Sequence, residues 1–302
     1  LSILVVGSAA FDDIETPFGR AEHILGGSTI YFAAAASLFA PVNVVSVVGT
    51  DMPRDAYDFL KARGVDMRGL QVEDGKTFHW SGRYDYDLNQ TETLVTDLNV
   101  YAGFRPSLPD GYADSPFVFL ANIQPDLQRS VLEQARSPRL TMMDSMNLWI
   151  ETQRDAVEAI MRMVDMVSIN ESEARLLMRT SSVLAAAKRI LTLGPRAVLV
   201  KRGEYGAALF TEDDYFAAPG YPLEEVYDPT GAGDSFAGGF MGYLAKAPEI
   251  NGATLRQAVI HGSAVASFTV QAFGVERLKT LTRSEVEDRC REFQRFTSFG
   301  EV

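Results

Sequence analysis

The 302-residue chain has one cysteine, Cys290, and three histidines, His23, His79 and His261. A lone cysteine excludes an intrachain disulfide, and the scattered histidines offer no zinc-type cluster with it. A reducing, cytoplasmic setting is therefore expected. Basic charge is also short: 28 Lys and Arg stand against 40 Asp and Glu, a formal net charge of −12. Such a field repels phosphate backbones and anionic lipid, so neither nucleic acid nor a membrane surface is an expected partner. No apolar run approaches the roughly 20 residues of a membrane span, and Leu1–Gly7 is too short and uncharged to read as a secretion signal. The chain is expected to be soluble. With 13 Pro and 24 Gly, collagen-like and broadly disordered classes are excluded, and there is neither an internal repeat nor a low-complexity linker.

What is present is an ordinary globular composition, 46% apolar and 23% charged, long enough for one large domain or two modest ones. Short β-branched or apolar runs at Ile3–Val6, Val44–Val48, Phe117–Leu120, Leu140–Met143, Met166–Ile169 and Ala197–Val200 read as buried strands. Helix-length segments lie between most of them: Ser28–Leu38, Asp55–Arg63, Asp126–Gln134, Gln153–Met163 and Ser182–Leu191. That alternation predicts an α/β layer architecture with a mainly parallel sheet. The last third is more helical, at Gly233–Lys246, Leu255–Gln271 and Ser284–Phe296, where Val286, Cys290, Phe293 and Phe296 mark one apolar face.

Thr77–Tyr101 breaks this pattern. Phe78, Trp80, Tyr84, Tyr86, Leu88, Leu94, Leu98 and Val100 fall on even positions, while His79, Arg83, Asp85 and Asp97 fall on odd ones. Period two means strand. With Asn89-Gln90-Thr91 between the halves, the segment predicts a hairpin with one aromatic face, too small to stand without a partner surface. It is either an antiparallel edge packed on the core, or a lid over a cleft or a subunit contact.

The segment richest in chemistry is Tyr227-Asp-Pro-Thr-Gly-Ala-Gly-Asp-Ser-Phe-Ala-Gly-Gly-Phe240. Pro229 and Gly231 punctuate a turn, and a helix pattern starts near Gly233. The N–H groups of Gly231, Ala232 and Gly233 at a helix N-terminus make an anion cradle. Asp234 competes with an anion for the same positive helix end, so it fits better as a base that takes a proton from a hydroxyl attacking a held phosphoryl group. The plainer alternative is a structural helix start with an acid in its first turn. A Walker A loop is excluded because no Gly-Lys-[Ser/Thr] follows, and a Rossmann fingerprint because Phe236 stands at its third glycine.

The run Asp228–Phe240 resembles the C-terminal signature of the PfkB/ribokinase family of carbohydrate kinases. Gly7-Ser8 with Asp12, Gly26-Gly27 before an Ala-rich helix, Val48-Gly49-Thr50-Asp51, Gly64-Val65-Asp66, Asn170-Glu171-Ser172-Glu173 and Lys201-Arg202-Gly203-Glu204-Tyr205-Gly206 follow in the family's order, so the resemblance covers essentially the whole chain. It implies a single three-layer, Rossmann-like (ribokinase-like) α/β domain over 1–302, with a small β-sheet lid from about 13–25 and 77–101. It also implies Asp234 as catalytic base and the amides of Gly231, Ala232 and Gly233 as the hole for the transferred group. Asn170 and Glu173 would position Mg²⁺ through water, although an Asn capping box is an equally local explanation. Lys201, Gly203 and Gly206 would border the nucleotide, and Asp228 and Thr230 would hold a monovalent cation such as K⁺. Asp12, Gly26 and Gly27 would bind the acceptor: a carboxylate accepts bonds from vicinal hydroxyls, and bare glycine backbone lets a sugar approach.

Two positions depart from the family. Where its sugar kinases commonly carry Asn about four residues past the glycine pair, this chain has Tyr31, and a phenol cannot copy an amide's paired donor and acceptor. Asp51-Met-Pro-Arg-Asp55 lacks the glycine often found three residues beyond Asp51. The expected activity is ATP-dependent transfer of the γ-phosphoryl group to a primary hydroxyl of a sugar or sugar-like substrate. The alternatives are a nucleoside kinase of the same family or a catalytically silent ligand-binding relative. An oxidoreductase lacks its early glycine fingerprint. A homodimer through the lid's aromatic face is a further expectation.

Overall fold

Ile3–Val6 is apolar at four consecutive positions because both faces of that strand are covered. The computed structural model describes residues 1–89 and 91–298. In chain order its strands are β1 (Ile3–Val6), β2 (Ala10–Thr16), β3 (Gly19–Gly26), β4 (Val42–Gly49), β5 (Asp66–Glu73), β6 (Phe78–Tyr84), β7 (Thr91–Asp97), β8 (Phe117–Leu120), β9 (Leu140–Met143), β10 (Met166–Asn170), β11 (Ala197–Lys201), β12 (Ala207–Thr211) and β13 (Tyr215–Ala218). The helices are α1 (Ser28–Ala36), α2 (Asp58–Ala62), α3 (Pro125–Gln134), α4 (Asn147–Thr152), α5 (Arg154–Met161), α6 (Glu171–Met178), α7 (Val183–Leu191), α8 (Ala232–Lys246), α9 (Gly252–Thr269), α10 (Glu276–Thr280) and α11 (Arg283–Thr297). No helix among the described residues is long and apolar enough to cross a membrane.

Nine strands form one sheet in the order β13-β12-β11-β10-β9-β8-β1-β4-β5. The seven from β5 to β11 run parallel, and β12 and β13 return antiparallel. Period-two alternation divides the core. Ile3, Val5 and Val44 pack with Ile30 of α1, Phe240 of α8 and Val265 of α9. Leu4, Val6 and Val45 pack on the opposite side with Val131 of α3, Ile160 of α5 and Ile190 of α7. The result is the expected three-layer α/β architecture. In α11, Val286 and Phe293 are buried and Cys290 is half-buried, whereas Phe296 is exposed, so the predicted stripe ends a turn early.

The second sheet has the order β3-β2-β6-β7. β2 pairs parallel with β6; the β2–β3 and β6–β7 pairs are antiparallel. Its strands start earlier than the sequence pattern indicates, at Ala10, because the acids Asp12 and Asp13 and a register shift between Asp12 and Ile14 obscure the periodicity. The single aromatic face of the hairpin needs correction. A second register shift at Ser81/Gly82 changes the phase, every residue of β7 is exposed, and Tyr86 lies past the strand, 85% exposed. Only Tyr84 of the predicted aromatic row is buried. Val100 lies in a 3₁₀ turn over Asn99–Gly103 rather than in a strand. Gln90, in the predicted turn, lies outside the described residues. At the base of the hairpin, Asp51 Oδ1 accepts the Thr77 N–H at 2.8 Å and its hydroxyl at 2.6 Å, tying the small sheet to the end of β4.

Candidate active site

In an open parallel sheet, ligands collect at the carboxyl ends of the strands, where the order of connections reverses. Here β1 lies between β4 and β8, and the chain leaves it through Gly7–Ala9 directly into β2 of the small sheet. Asp12 on β2 is therefore carried to the mouth of the switch point. β10 and β11 end in Asn170 and Lys201, and Asp144 directly follows β9, on the same edge.

Asp12 is 4% exposed. Burial, then the charges of Asp228 and Asp234, push its carboxyl up to about 8, opposed by a hydrogen bond from the Gly27 backbone. The glycine pair also has a packing role that its sequence does not show. A Cβ on Gly26 would fall 1.8 Å from Asp12 Oδ2, so the bare backbone makes room for the chain's own carboxylate. Gly27 has φ of +95° and caps α1, with Ser8 O 2.6 Å from where its Cβ would stand.

The Asp228–Phe240 segment folds as the sequence indicates. Gly231, in the left-handed region at φ +73°, caps α8 and turns the chain into it. Asp234 occupies the first turn of α8, only partly exposed at its surface. Burial, then the charge of Asp144, push its carboxyl up to about 7, partly offset by Lys201. The cradle is smaller than predicted: the Ala232 N–H already donates to Pro229 O at 3.2 Å, closing the turn. The Gly231 and Gly233 N–H groups take no backbone acceptor among the described residues.

Asp228 is buried and bonded at both oxygens, to the Thr230 N–H and the Gly274 N–H, each at 2.8 Å. Thr230 Oγ1 lies 3.1 Å from the Tyr84 hydroxyl of β6. Both predicted cation-binding side chains thus have protein partners, and a monovalent ion would have to share them. Tyr84 joins the small sheet to the turn that leads into α8, and the Thr16 hydroxyl, donating to Tyr227 O at 2.9 Å, does the same from β2.

Asn170 caps α6: its Oδ1 accepts the Glu173 N–H at 2.8 Å and the Ser172 hydroxyl at 2.8 Å, while Glu173 Oε2 accepts the Asn170 N–H at 3.0 Å. The reciprocal capping box is present. Glu173 is nonetheless buried inward, and burial pushes it up to about 7 against the pull of Lys201.

Lys201 forms an ion pair with Asp144, which is itself bonded by the Ser168 hydroxyl at 3.3 Å. Burial pulls Lys201 down, but Asp144 and Glu173 outweigh it and hold the ammonium above its ordinary value. Its Nζ lies 3.1 Å from where a Cβ on Gly233 would be, so a positive charge lies beside the cradle. Gly203, at φ +55°, opens the 203–205 turn, and the Asn89 side chain from the tip of the hairpin rests on it: a Cβ there would fall 1.8 Å from Asn89 Oδ1. Gly206 is required for packing, its missing Cβ lying 2.1 Å from Ala218 O.

The fold thus brings Asp12, Gly26, Gly27, Asp228, Thr230, Gly231 and Asp234 into one site with Lys201 and Glu173 behind it. Gly203 lies under the hairpin tip, and Gly206 packs against Ala218 at the end of β13. Sequence reasoning missed Asp144. It belongs to no motif, and its only signal is an acid directly after a buried parallel strand, at the ligand edge of the sheet.

The pfkB family carbohydrate kinase model matches residues 2–281. Among similar sequences, a cytidine kinase of Thermococcus kodakarensis is 31% identical over 82% of this chain and 90% of its own length. A nucleoside kinase of Methanothermobacter thermautotrophicus is 28% identical over 98% and 96%. Among solved structures, the Methanocaldococcus jannaschii nucleoside kinase, an archaeal member of the ribokinase family, superposes with a TM-score of 0.77 at 21% identity, covering 96% of this chain and 98% of that one. Salmonella enterica aminoimidazole riboside kinase, solved with aminoimidazole riboside and an ATP analogue, gives 0.76 at 20%, covering 96% and 100%. With its fold, its motif order and a family match over nearly its full length, this chain belongs to the pfkB family of carbohydrate kinases.

Proposed function

We propose that this enzyme transfers the γ-phosphoryl group of ATP to the primary hydroxyl of a ribose-type sugar, with a nucleoside as the carrier of that sugar. The observation that carries the reading is a pair of acids, Asp12 buried and Asp234 half-buried, both with raised carboxyls and facing one site that also holds free backbone amides and a lysine. Asp12 holds acceptor hydroxyls. Asp234, poised near neutrality, takes the proton from the hydroxyl oxygen as it attacks. The Gly231 and Gly233 amides, with Lys201 beside them, neutralise charge on the transferred group, a contribution that is large in a water-poor site. Fixing these groups on strand ends and a helix start before substrate arrives removes most of the orientational cost.

The nucleoside acceptor rests on the cytidine and nucleoside kinases among the relatives; free sugars are the second reading, supported by the fructokinase of Vibrio cholerae solved with fructose and ADP. The donor set suits Mg²⁺ held through water. Asn170 Oδ1 and Glu173 Oε2 are already bonded, which leaves Glu173 Oε1 to orient a metal-bound water, and no cluster of three acidic, His or Cys side chains among the described residues would bind the ion directly. When bound, Mg²⁺ shields the phosphate charges.

The small sheet acts as a lid that Tyr84 and Thr16 fasten to the phosphate loop, excluding the water that would otherwise hydrolyse ATP. Its edge strand β7, with Leu94 and Val95 exposed, is the surface offered to a second copy of this chain. An ADP-coupled screen of nucleosides against pentoses and hexoses tests the function. Acceptor-dependent ADP formation with nucleosides supports it, free-sugar preference supports the second reading, and no acceptor-dependent ADP formation with any of them refutes both.

A further inference from the structure

The Thr16 and Tyr84 ties from the small sheet both end at the turn into α8. The tip of the hairpin reaches a different element, the turn between β11 and β12. There Asn89 Nδ2 donates to Glu204 Oε1 at 3.3 Å, across 115 residues of sequence. Its Oδ1 lies over Gly203, 1.8 Å from where a Cβ on that glycine would stand, so the turn is bare where the tip lands. Both sides of the contact are fixed locally. Asp87 Oδ1 accepts the Asn89 N–H at 3.1 Å and its Nδ2 at 3.0 Å, which sets the side chain before it reaches across. The turn closes on itself: the Arg202 N–H donates to Gly206 O at 2.8 Å, the Tyr205 N–H to Arg202 O at 3.1 Å and the Gly206 N–H to Gly203 O at 3.1 Å.

The Asn89 amide also solves a charge problem. Asp87 on the tip and Glu204 on the turn are like charges that repel, and Nδ2 has two N–H groups, one for each carboxylate. The turn follows directly on Lys201, whose ammonium pairs with Asp144 and lies beside Gly233. The hairpin tip therefore rests on the segment that carries the positive charge of the cradle. We infer that Asn89 is a positioning residue that couples the two substrate sites: a nucleotide that orders the 203–205 turn holds the lid down over the acceptor, and an acceptor under the lid holds that turn in place. The inference rests on the phosphotransferase reading above and adds that ATP and acceptor bind with positive cooperativity through the hairpin tip. Asn89 touches neither substrate. Its bond to Glu204 is made only with the lid down, so each ligand that favours closure assists the other, by the same factor in both directions.

The test is calorimetry on the full chain. The Kd of an acceptor is measured with and without saturating β,γ-methylene-ATP and Mg²⁺, the acceptor being whichever of cytidine, adenosine, inosine or ribose the wild type phosphorylates best. The ratio of the two values is the coupling factor. In the wild type the analogue should tighten acceptor binding about fivefold or more. Asn89→Ala should cut that factor about three- to tenfold, the range of one hydrogen bond. Glu204→Ala should do the same from the other side, and the double variant should lose no more than either single one. Asn89→Asp places a third carboxylate at the contact. Its factor should fall below that of Asn89→Ala at about 0.01 M salt and return to it at about 1 M, where charges are screened within about 3 Å.

A wild-type factor near one, an Asn89→Ala factor equal to that of the wild type, or single losses that add in the double variant would overturn the inference alone. So would a lower melting temperature with the factor unchanged, which marks a merely structural contact. A wild-type chain that forms no ADP with any nucleoside or sugar would instead overturn the phosphotransferase reading, and the inference with it.

Discussion

Asp234→Asn separates chemistry from architecture, because the amide keeps the shape of the side chain in the first turn of α8 and loses only its ability to take a proton. A general base typically contributes about 10²–10⁴ in rate, or about 3–5 kcal/mol of barrier, and kcat should fall by that factor while the KM for ATP changes little. The same substitution should stabilise the fold. Burial raises the Asp234 carboxyl from 3.8 to about 7, so between those values the unfolded chain ionises and the folded one does not, and stability drains away as pH rises. Above pH 7 the cost of holding the charge inside is fully present, of the order of 4 kcal/mol from about 3 pKa units. An asparagine has no such cost, and at pH 8 the variant should melt several degrees higher than the wild type. Wild-type kcat should climb about tenfold per pH unit up to about 7 and then level, whereas the residual rate of the variant should be flat. Coupled ADP assays from pH 5.5 to 9, with thermal melts on the same samples, read all three effects. Turnover within tenfold of wild type, or an acidic limb that survives in the variant, would refute the assignment of the base.

Asp12, pushed up to about 8, accepts from two hydroxyl donors at once, one at each oxygen, only when ionised, so on the proposed role the acceptor KM should fall as pH rises through about 8; a KM flat from pH 6 to 9 would contradict that role. Asp144→Asn removes one partner of a buried ion pair and should cost about 3 kcal/mol in denaturant melts, with kcat reduced at least tenfold as Lys201 loses its anchor beside Gly233. An equally stable and active variant would show that Glu173 alone suffices. Tyr84→Phe deletes the 3.1 Å link to Thr230, and acceptor-independent ATP hydrolysis should rise about two- to tenfold relative to transfer, the range of a single hydrogen bond; an unchanged ratio would mean that this link does not govern closure.

The parallel strands were legible because burial on both faces writes them as unbroken apolar runs, as in β1, β8 and β10. β3 and β5 were not, since half-exposed strands such as Gly19–Gly26 and Asp66–Glu73 carry mixed residues that mimic loops. The hairpin showed its period but not its phase, which a register shift at Ser81/Gly82 altered. In the site, the glycine turn into α8 was plain from local chemistry. Local chemistry could not show that Ala232 spends its amide on Pro229, that Lys201 faces Asp144, or that Gly26 yields its space to Asp12. Each of these depends on a partner distant in sequence or on a turn whose exact closure is set in three dimensions.

The contact between Asp12 and the backbone of Gly26 also bears on how this sequence can drift. With 1.8 Å between the carboxylate oxygen and the position of any new β-carbon, residue 26 cannot mutate alone without displacing the acid. The two sites are locked as an evolutionary unit. Removing the carboxylate, as in Asp12→Ala, is expected to free the space opposite it, so that a side chain at position 26 becomes tolerable only in that background.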